Sequence, residues 1–145
     1  MAFRIQRHEW GSPVIPYGIE TISHLQENGR IVLMLCAFDG PPRIVRLHGR
    51  GEALMAGTEG FGKLADVFPD SEGRRSIISV RVDRVADSCG FGVPLMQYTG
   101  ERPQMPQWIQ RKGGRKAILA YQEEKNAVSM DGLPGLGSNE AGTLD

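Results

Sequence analysis

A run of eight consecutive apolar residues, IVLMLCAF at 31–38, constrains the fold more than any other stretch of the chain. It follows Gly29 and ends at the turn-forming tetrapeptide DGPP at 39–42, and its length and borders predict a buried β-strand. The turn leads directly into RIVRLHGRGEAL at 43–54, in which apolar and polar side chains alternate. Two strands joined by a short turn predict an antiparallel hairpin.

Further periodic segments place helices and one more strand around this hairpin. These predicted elements are a helix at 18–28, a helix at 59–67, a strand at 76–85 and helices at 104–112 and 115–130. Gly29 supplies a left-handed stop for the first helix, and Thr58 supplies an N-cap for the second. Gly49 and Gly51 lie on the apolar face of the second strand and predict a bulge, a bend or the close approach of another backbone.

The order of the predicted elements indicates an α+β chain with an antiparallel sheet. A sheet of three strands has unpaired edges. Either residues 1–17 or a partner chain adds a strand to it, or the sheet stays incomplete. The apolar strand 31–38 also needs cover on both faces, because burying each large apolar side chain contributes about 1.5–3 kcal/mol. We therefore expect a homodimer whose interface includes strand 31–38 or strand 43–54.

The chain of 145 residues has the size of one domain. Proline and glycine placement divides it into an irregular arm at 1–17, a core at 18–103 and C-terminal helices with a DGLPGL segment at 104–136. The polar, glycine-rich stretch at 137–145 predicts a mobile tail.

Charge and hydropathy exclude several classes of protein. The 17 basic and 17 acidic residues cancel, so we expect no nucleic-acid partner. The longest apolar run is far shorter than the ~20 residues of a membrane-spanning helix, and the N-terminus has no apolar signal region. These features predict a cytoplasmic protein with no membrane partner, in which Cys36 and Cys89 are reduced.

The usual sequence patterns of metal and nucleotide sites are absent as well. The three histidines, His8, His24 and His48, lie on separate elements, and neither cysteine has a CxxC partner. We therefore expect no metal site. The chain also contains no GxxxxGK[ST], GxGxxG or GxSxG motif.

Arg46, His48 and Arg50 form the first candidate site, because residues two apart on a strand lie about 6.8 Å apart on one face. Two guanidinium groups flanking an imidazole suit a phosphate or a carboxylate, and His48 is a candidate general acid. The alternative interpretation is an ordinary solvent-facing side of an antiparallel sheet.

The glycine-rich segment DSCGFGVP at 87–94 is a second candidate, since backbone amides in a loop after a strand are free to bind a ligand. Cys89 lies within it as a candidate thiol, although the glycines also suit a plain turn. A third candidate is the N-terminus of the helix at 18–28, where backbone amides near Thr21 favour an anion and Glu20 opposes one.

Three longer stretches resemble a branch of the pyridoxamine 5'-phosphate oxidase family. They are ETISHLQENGRIVLMLCAFDGPPRIVRLHGRGE at 20–52, DSCGFGVPLMQYTGER at 87–102 and KNAVSMDGLPGL at 125–136. The resemblance implies the FMN-binding split β-barrel, here as an incomplete antiparallel barrel with flanking helices. Relatives carry two or three further strands before the first helix, where this chain has seventeen residues of unrelated appearance.

The resemblance also implies a homodimer that binds FMN, or a related deazaflavin, in grooves at the subunit interface. By position it assigns Thr21, Arg43, Arg46 and His48 to cofactor binding. The implied activity is flavin-dependent oxidation or reduction of a small-molecule substrate. Two alternatives remain open: a non-catalytic or truncated relative that binds the cofactor weakly or not at all, and a fragment that folds poorly alone.

Overall fold

The computed structural model describes residues 19–68, 73–100 and 102–135, so the arm at 1–17 and the tail at 137–145 lie outside the described residues. The elements follow the predicted order of helix, strand, strand, helix, strand, helix, helix. They are α1 (Glu20–Asn28), β1 (Arg30–Cys36), β2 (Arg43–Met55), α2 (Glu59–Ala65), β3 (Ser76–Cys89), α3 (Gln104–Lys112) and α4 (Gly114–Lys125). No helix in the described ranges combines the length and the apolar character needed to cross a bilayer.

The three strands form one open antiparallel sheet in the order β1-β2-β3. Arg30 lies opposite Arg50, and the DGPP turn closes the hairpin where Cys36 lies opposite Ile44. The long strand β2 pairs with β3 along its whole length. The prediction of an α+β chain with an antiparallel hairpin is therefore confirmed, and the sheet of the described residues is not closed.

A β-bulge interrupts the pairing of β2 with β3. The register shifts after His48, which lies opposite Arg84, whereas Gly49 lies opposite Val82, so that Asp83 is the extra residue. A Cβ atom on Gly49 would overlap the backbone carbonyl of Arg81. The predicted bulge and close backbone approach are both confirmed, because only glycine lets the two strands come this near.

The two faces of β1 are covered unequally. A Cβ atom on Gly51 would lie 2.9 Å from a methyl of Leu25 and 3.2 Å from a methyl of Ile31, so α1 packs on the face that Ile31 shares. Val32 and Met34, on the other face, are 51% and 59% exposed. The prediction of a strand buried on both faces is wrong for the described residues, because α1 covers only one of them.

Two predicted boundaries are also wrong. The third strand continues to Cys89 rather than ending at 85, because β2 is long enough to pair with Asp87, Ser88 and Cys89. The segment predicted as a loop at 87–94 therefore begins as strand. The last helix ends at Lys125 instead of 130, where the buried Asn126 donates its side-chain amide to the carbonyl of Gln122 at 3.0 Å.

A short hairpin follows α4 and packs against α1. Val128 lies opposite Pro134, and the amide of Ser129 donates to the carbonyl of Leu133 at 2.9 Å. A Cβ atom on the buried Gly135 would lie 2.7 Å from Ile19, beside the start of α1. The DGLPGL motif is therefore a turn that joins the C-terminal segment to the first helix.

Candidate functional site

A groove of about 590 Å³ opens where the C-terminal end of α1 meets the sheet. Its polar lining residues are His24, Asn28, Arg30, His48, Arg50, Asp83 and Arg84. All three strands and one helix contribute to this lining, so the groove depends on the tertiary fold rather than on one local motif.

The hairpin register brings the first two arginines together. Arg30 on β1 lies directly opposite Arg50 on β2, and Val32 lies opposite His48. Residues opposite each other in an antiparallel pair share a face and have Cβ atoms about 4.5–5.5 Å apart. The turn at 39–42 sets this register, so its position determines which side chains meet in the groove.

The bulge brings a third arginine to the same place. Consecutive residues of a regular strand point to opposite faces, yet Asp83 and Arg84 both line the groove because the bulge breaks the alternation there. One terminal nitrogen of Arg84, Nη2, lies 3.5 Å from Nε2 of His48. Gly49 permits the bulge and is therefore required for this arrangement.

The C-terminal end of α1 holds two of these arginines in position. Nη1 of Arg50 donates a hydrogen bond of 2.6 Å to the backbone carbonyl of Asn28, and the Asn28 side-chain oxygen accepts from the Arg30 amide at 2.9 Å. Carbonyls at a helix C-terminus carry partial negative charge and bind cations well. The guanidinium of Arg50 is thus oriented before any ligand arrives.

The groove carries an excess of positive charge. Three arginines line it against one carboxylate, that of Asp83. Guanidinium groups present forked donors that match phosphate and carboxylate oxygens. The arrangement therefore suits an anionic ligand.

The structure separates the residues that the sequence nominated. His48 and Arg50 line the groove, whereas Arg46 lies further along β2 and donates to the hydroxyl of Ser88 at 3.0 Å. Arg43 is largely exposed and lies 3.9 Å from a carboxylate oxygen of Asp87. Thr21 is exposed in the first turn of α1, and Cys89 is exposed at the end of β3.

Sequence reasoning missed the other polar lining residues, which are His24, Asn28, Arg30, Asp83 and Arg84. Counting outward from the DGPP turn at 39–42 pairs Phe38 with Arg43 and hence Ile31 with Arg50, which misses Arg30 by one residue. In the structure Phe38 also belongs to the loop, because the Ala37 amide donates to the Arg43 carbonyl, and Arg30 therefore lies opposite Arg50. Nothing in the local sequence at 83–84 marks the bulge, because the glycine that causes it lies on the neighbouring strand.

Comparison with known proteins gives one informative relative. The chain is 37% identical over 136 residues to the "Pyridoxamine 5'-phosphate oxidase family protein ustO" of Aspergillus flavus. The chain belongs to the pyridoxamine 5'-phosphate oxidase family. The match covers 83% of this chain and 54% of ustO, so the chain spans about half the length of this curated relative.

No family model and no solved structure matches the chain. The similarity to ustO confirms the resemblance identified from the quoted motifs. Within this member of the pyridoxamine 5'-phosphate oxidase family, the motif DGPPRIVRLHGRG forms the hairpin turn and the strand that carries His48 and Arg50 into the groove.

Proposed function

We propose that the groove binds FMN and that the protein is an FMN-dependent oxidoreductase acting on a small molecule. The observation that carries the proposal is the convergence of Arg30, Arg50, Arg84 and His48 on one groove of about 590 Å³. This volume lies within the ~300–1,000 Å³ typical of small-molecule sites. Family membership supports a flavin among the anionic ligands that such a groove suits.

The donor set fits the phosphate of FMN. Arg30 and Arg50 lie opposite each other, and Arg50 is oriented by its bond to the Asn28 carbonyl. Two forked guanidinium groups at this separation suit the oxygens of one phosphate. We assign phosphate binding to this pair in place of Thr21 and Arg43, which lie outside the groove lining.

The remaining lining residues suit the ring system. Val32 lies opposite His48 and is about half exposed, so it offers apolar surface beside polar donors. In the proposed site Val32 would offer apolar contact to the ring, Arg84 would donate hydrogen bonds to its polar atoms, and His48 would line the substrate side. When bound, FMN supplies the electron transfer, and the side chains supply orientation and polarisation.

We further propose that a second copy of the chain covers the open side of the groove. Val32 lines the groove, and Met34 lies two residues further along the same face of β1. Both side chains are more than half exposed, and burying them would stabilise a dimer. The proposed homodimer would place the flavin between the two subunits, with β1 at the interface.

A flavin titration of the purified protein tests the proposal. We expect denaturation to release a yellow cofactor with the flavin spectrum, and the apoprotein to quench added FMN fluorescence in a saturable way. The variant Arg50→Ala should weaken FMN binding at least tenfold, because it removes a charged donor from the phosphate. Arg115→Ala changes an exposed arginine of α4 that is absent from the groove lining and should leave binding unchanged.

Two further readouts separate the alternatives. Riboflavin, which lacks the phosphate, should bind more weakly than FMN to the wild type. The difference in affinity between the two ligands should be smaller in Arg50→Ala, which keeps Arg30 as the remaining phosphate-binding arginine. Absence of saturable FMN binding would contradict the proposal. Binding without flavin reduction by any nicotinamide nucleotide would favour the alternative of a non-catalytic relative.

A further inference from the structure

A cluster of side chains of the kinds that bind metal ions lies beside the groove, where α1 borders it. Glu20 and His24 occupy one face of α1, four residues apart, and Asp131 reaches them from the turn after α4. One donor atom from each residue lies within 4.8 Å of the other two. Nε2 of His24 is 3.1 Å from Oδ2 of Asp131.

We propose that Glu20, His24 and Asp131 form a binding site for a divalent transition-metal ion, with Zn²⁺ as the favoured ion. Imidazole nitrogen with carboxylate oxygens is a ligand set that zinc accepts. Bonds of ~2.0–2.2 Å place the donor atoms of one tetrahedral zinc about 3.3–3.5 Å apart. The observed spacing needs only small side-chain rotations to reach this geometry.

The backbone around the cluster is already held in place. Oε1 of Glu20 accepts a hydrogen bond of 2.9 Å from the amide of Met130, which fixes the neighbouring Asp131 against α1. The second carboxylate oxygen of Glu20 is left for an ion. The site therefore does not require the turn to move when metal binds.

A carboxylate outside the cluster lies beside the other ring nitrogen of His24. Nδ1 of His24 faces Oε2 of Glu27 at 3.6 Å, while Nε2 faces Asp131. A carboxylate behind a metal-binding histidine favours the tautomer whose other nitrogen carries the free lone pair. With an ion bound at Nε2, the imidazole proton would lie on Nδ1, the nitrogen that faces Glu27.

His24 joins the proposed metal site to the cationic groove, because the same residue lines that groove. Three protein ligands leave at least one coordination position for water or for an anionic oxygen of a ligand. The two carboxylates balance the 2+ charge of the ion, so the loaded cluster is neutral and presents a Lewis-acidic centre beside the groove. The sequence-based expectation of no metal site considered histidine and cysteine spacing, and Asp131 joins the cluster only through the fold.

A calorimetric titration of the full-length, tag-free protein with Zn²⁺, after removal of metals by a chelator and without added flavin, tests the site. We expect one zinc per chain and no comparable heat with Mg²⁺, which prefers six oxygen ligands. His24→Ala and Asp131→Asn should each weaken zinc binding at least tenfold. Glu123→Gln alters an exposed carboxylate of α4 outside the cluster and should bind like the wild type.

Glu20→Gln separates a metal site from a purely structural contact. The amide oxygen of glutamine still accepts from the Met130 amide, so the variant should keep the wild-type melting temperature without metal and lose at least tenfold in zinc affinity. Absence of zinc binding to the wild type would overturn the proposal, as would unchanged affinity in all three variants. Because no flavin is present, this outcome is independent of the FMN proposal.

Discussion

The helical side of the molecule and the outer face of the sheet differ sharply in how well they are packed. On the helical side, Ile22, Ile118 and Asn126 are at most 2% exposed. On the outer face, Val32 and Met34 remain more than half exposed, although both are large and apolar. The chain thus completes one core by itself and leaves an apolar surface on the strands that an additional partner can cover.

The groove lies at the boundary between these two regions. Its helix residues, His24 and Asn28, lie on α1, the helix whose buried residues Ile22 and Leu25 belong to the core, whereas Val32 lies on the exposed face of the sheet. A ligand in the groove would therefore contact both α1 and the exposed face of β1. This contrast explains why the same surface supports both a flavin site and a dimer interface in the proposed function.

Truncation of a buried side chain on the helical side should have the largest effect on the free energy of unfolding. Ile118→Ala removes a side chain that is 1% exposed, and such changes cost about 2–5 kcal/mol of unfolding free energy because a cavity remains. The adjacent Leu119→Ala, at a half-exposed position, should cost less than about 1 kcal/mol. Urea denaturation followed by circular dichroism measures both, and equal losses would refute a core centred on the helices.

Filling the bulge should have the next largest effect. Gly49→Ala places a methyl group against the Arg81 carbonyl, and overpacking of this kind costs about 1–3 kcal/mol. The same change should displace Arg84 and weaken FMN binding. Gly62→Ala is the matched control, because a Cβ atom at this position in α2 has no neighbour within 4 Å. This substitution should stabilise the helix by up to about 1 kcal/mol.

A charge on the outer face should have the smallest effect on folding and a clear effect on self-association. Met34→Asp changes a side chain that the described fold leaves exposed, so the unfolding free energy of the monomer should change little. Dimer affinity should fall at least tenfold, which corresponds to about 1.4 kcal/mol. Leu119→Asp on α4 should leave the sedimentation behaviour unchanged, and a monomeric wild type in analytical ultracentrifugation would contradict the proposed dimer.

Local patterns were sufficient to predict the elements that local chemistry determines. The DGPP turn predicted the hairpin, Gly29 with φ of 67° ends α1, and the Thr58 hydroxyl accepts from the Phe61 amide as an N-cap. The end of α4 was harder to predict. The helical spacing of apolar residues continues to 130, but the helix ends at Lys125, where the Asn126 side chain donates to the Gln122 carbonyl.

The candidate site depended more on long-range pairing. His48 and Arg50 came from the alternation along one strand, but Arg84 reaches the groove only through a bulge that a glycine on another strand permits. Asp131 meets α1 across more than one hundred residues of chain. Contacts of this kind depend on the whole fold, so no local period in the sequence reveals them.

Hydrogen–deuterium exchange with and without FMN locates the flavin site in the chain, because a bound ligand slows exchange of the backbone amides that it covers. We expect slower exchange in the strands around the groove, at 30–34, 46–50 and 81–86, with no change in α4. Protection confined to the loop at 90–100, or no protection at saturating FMN, would contradict the assignment of the groove as the flavin site.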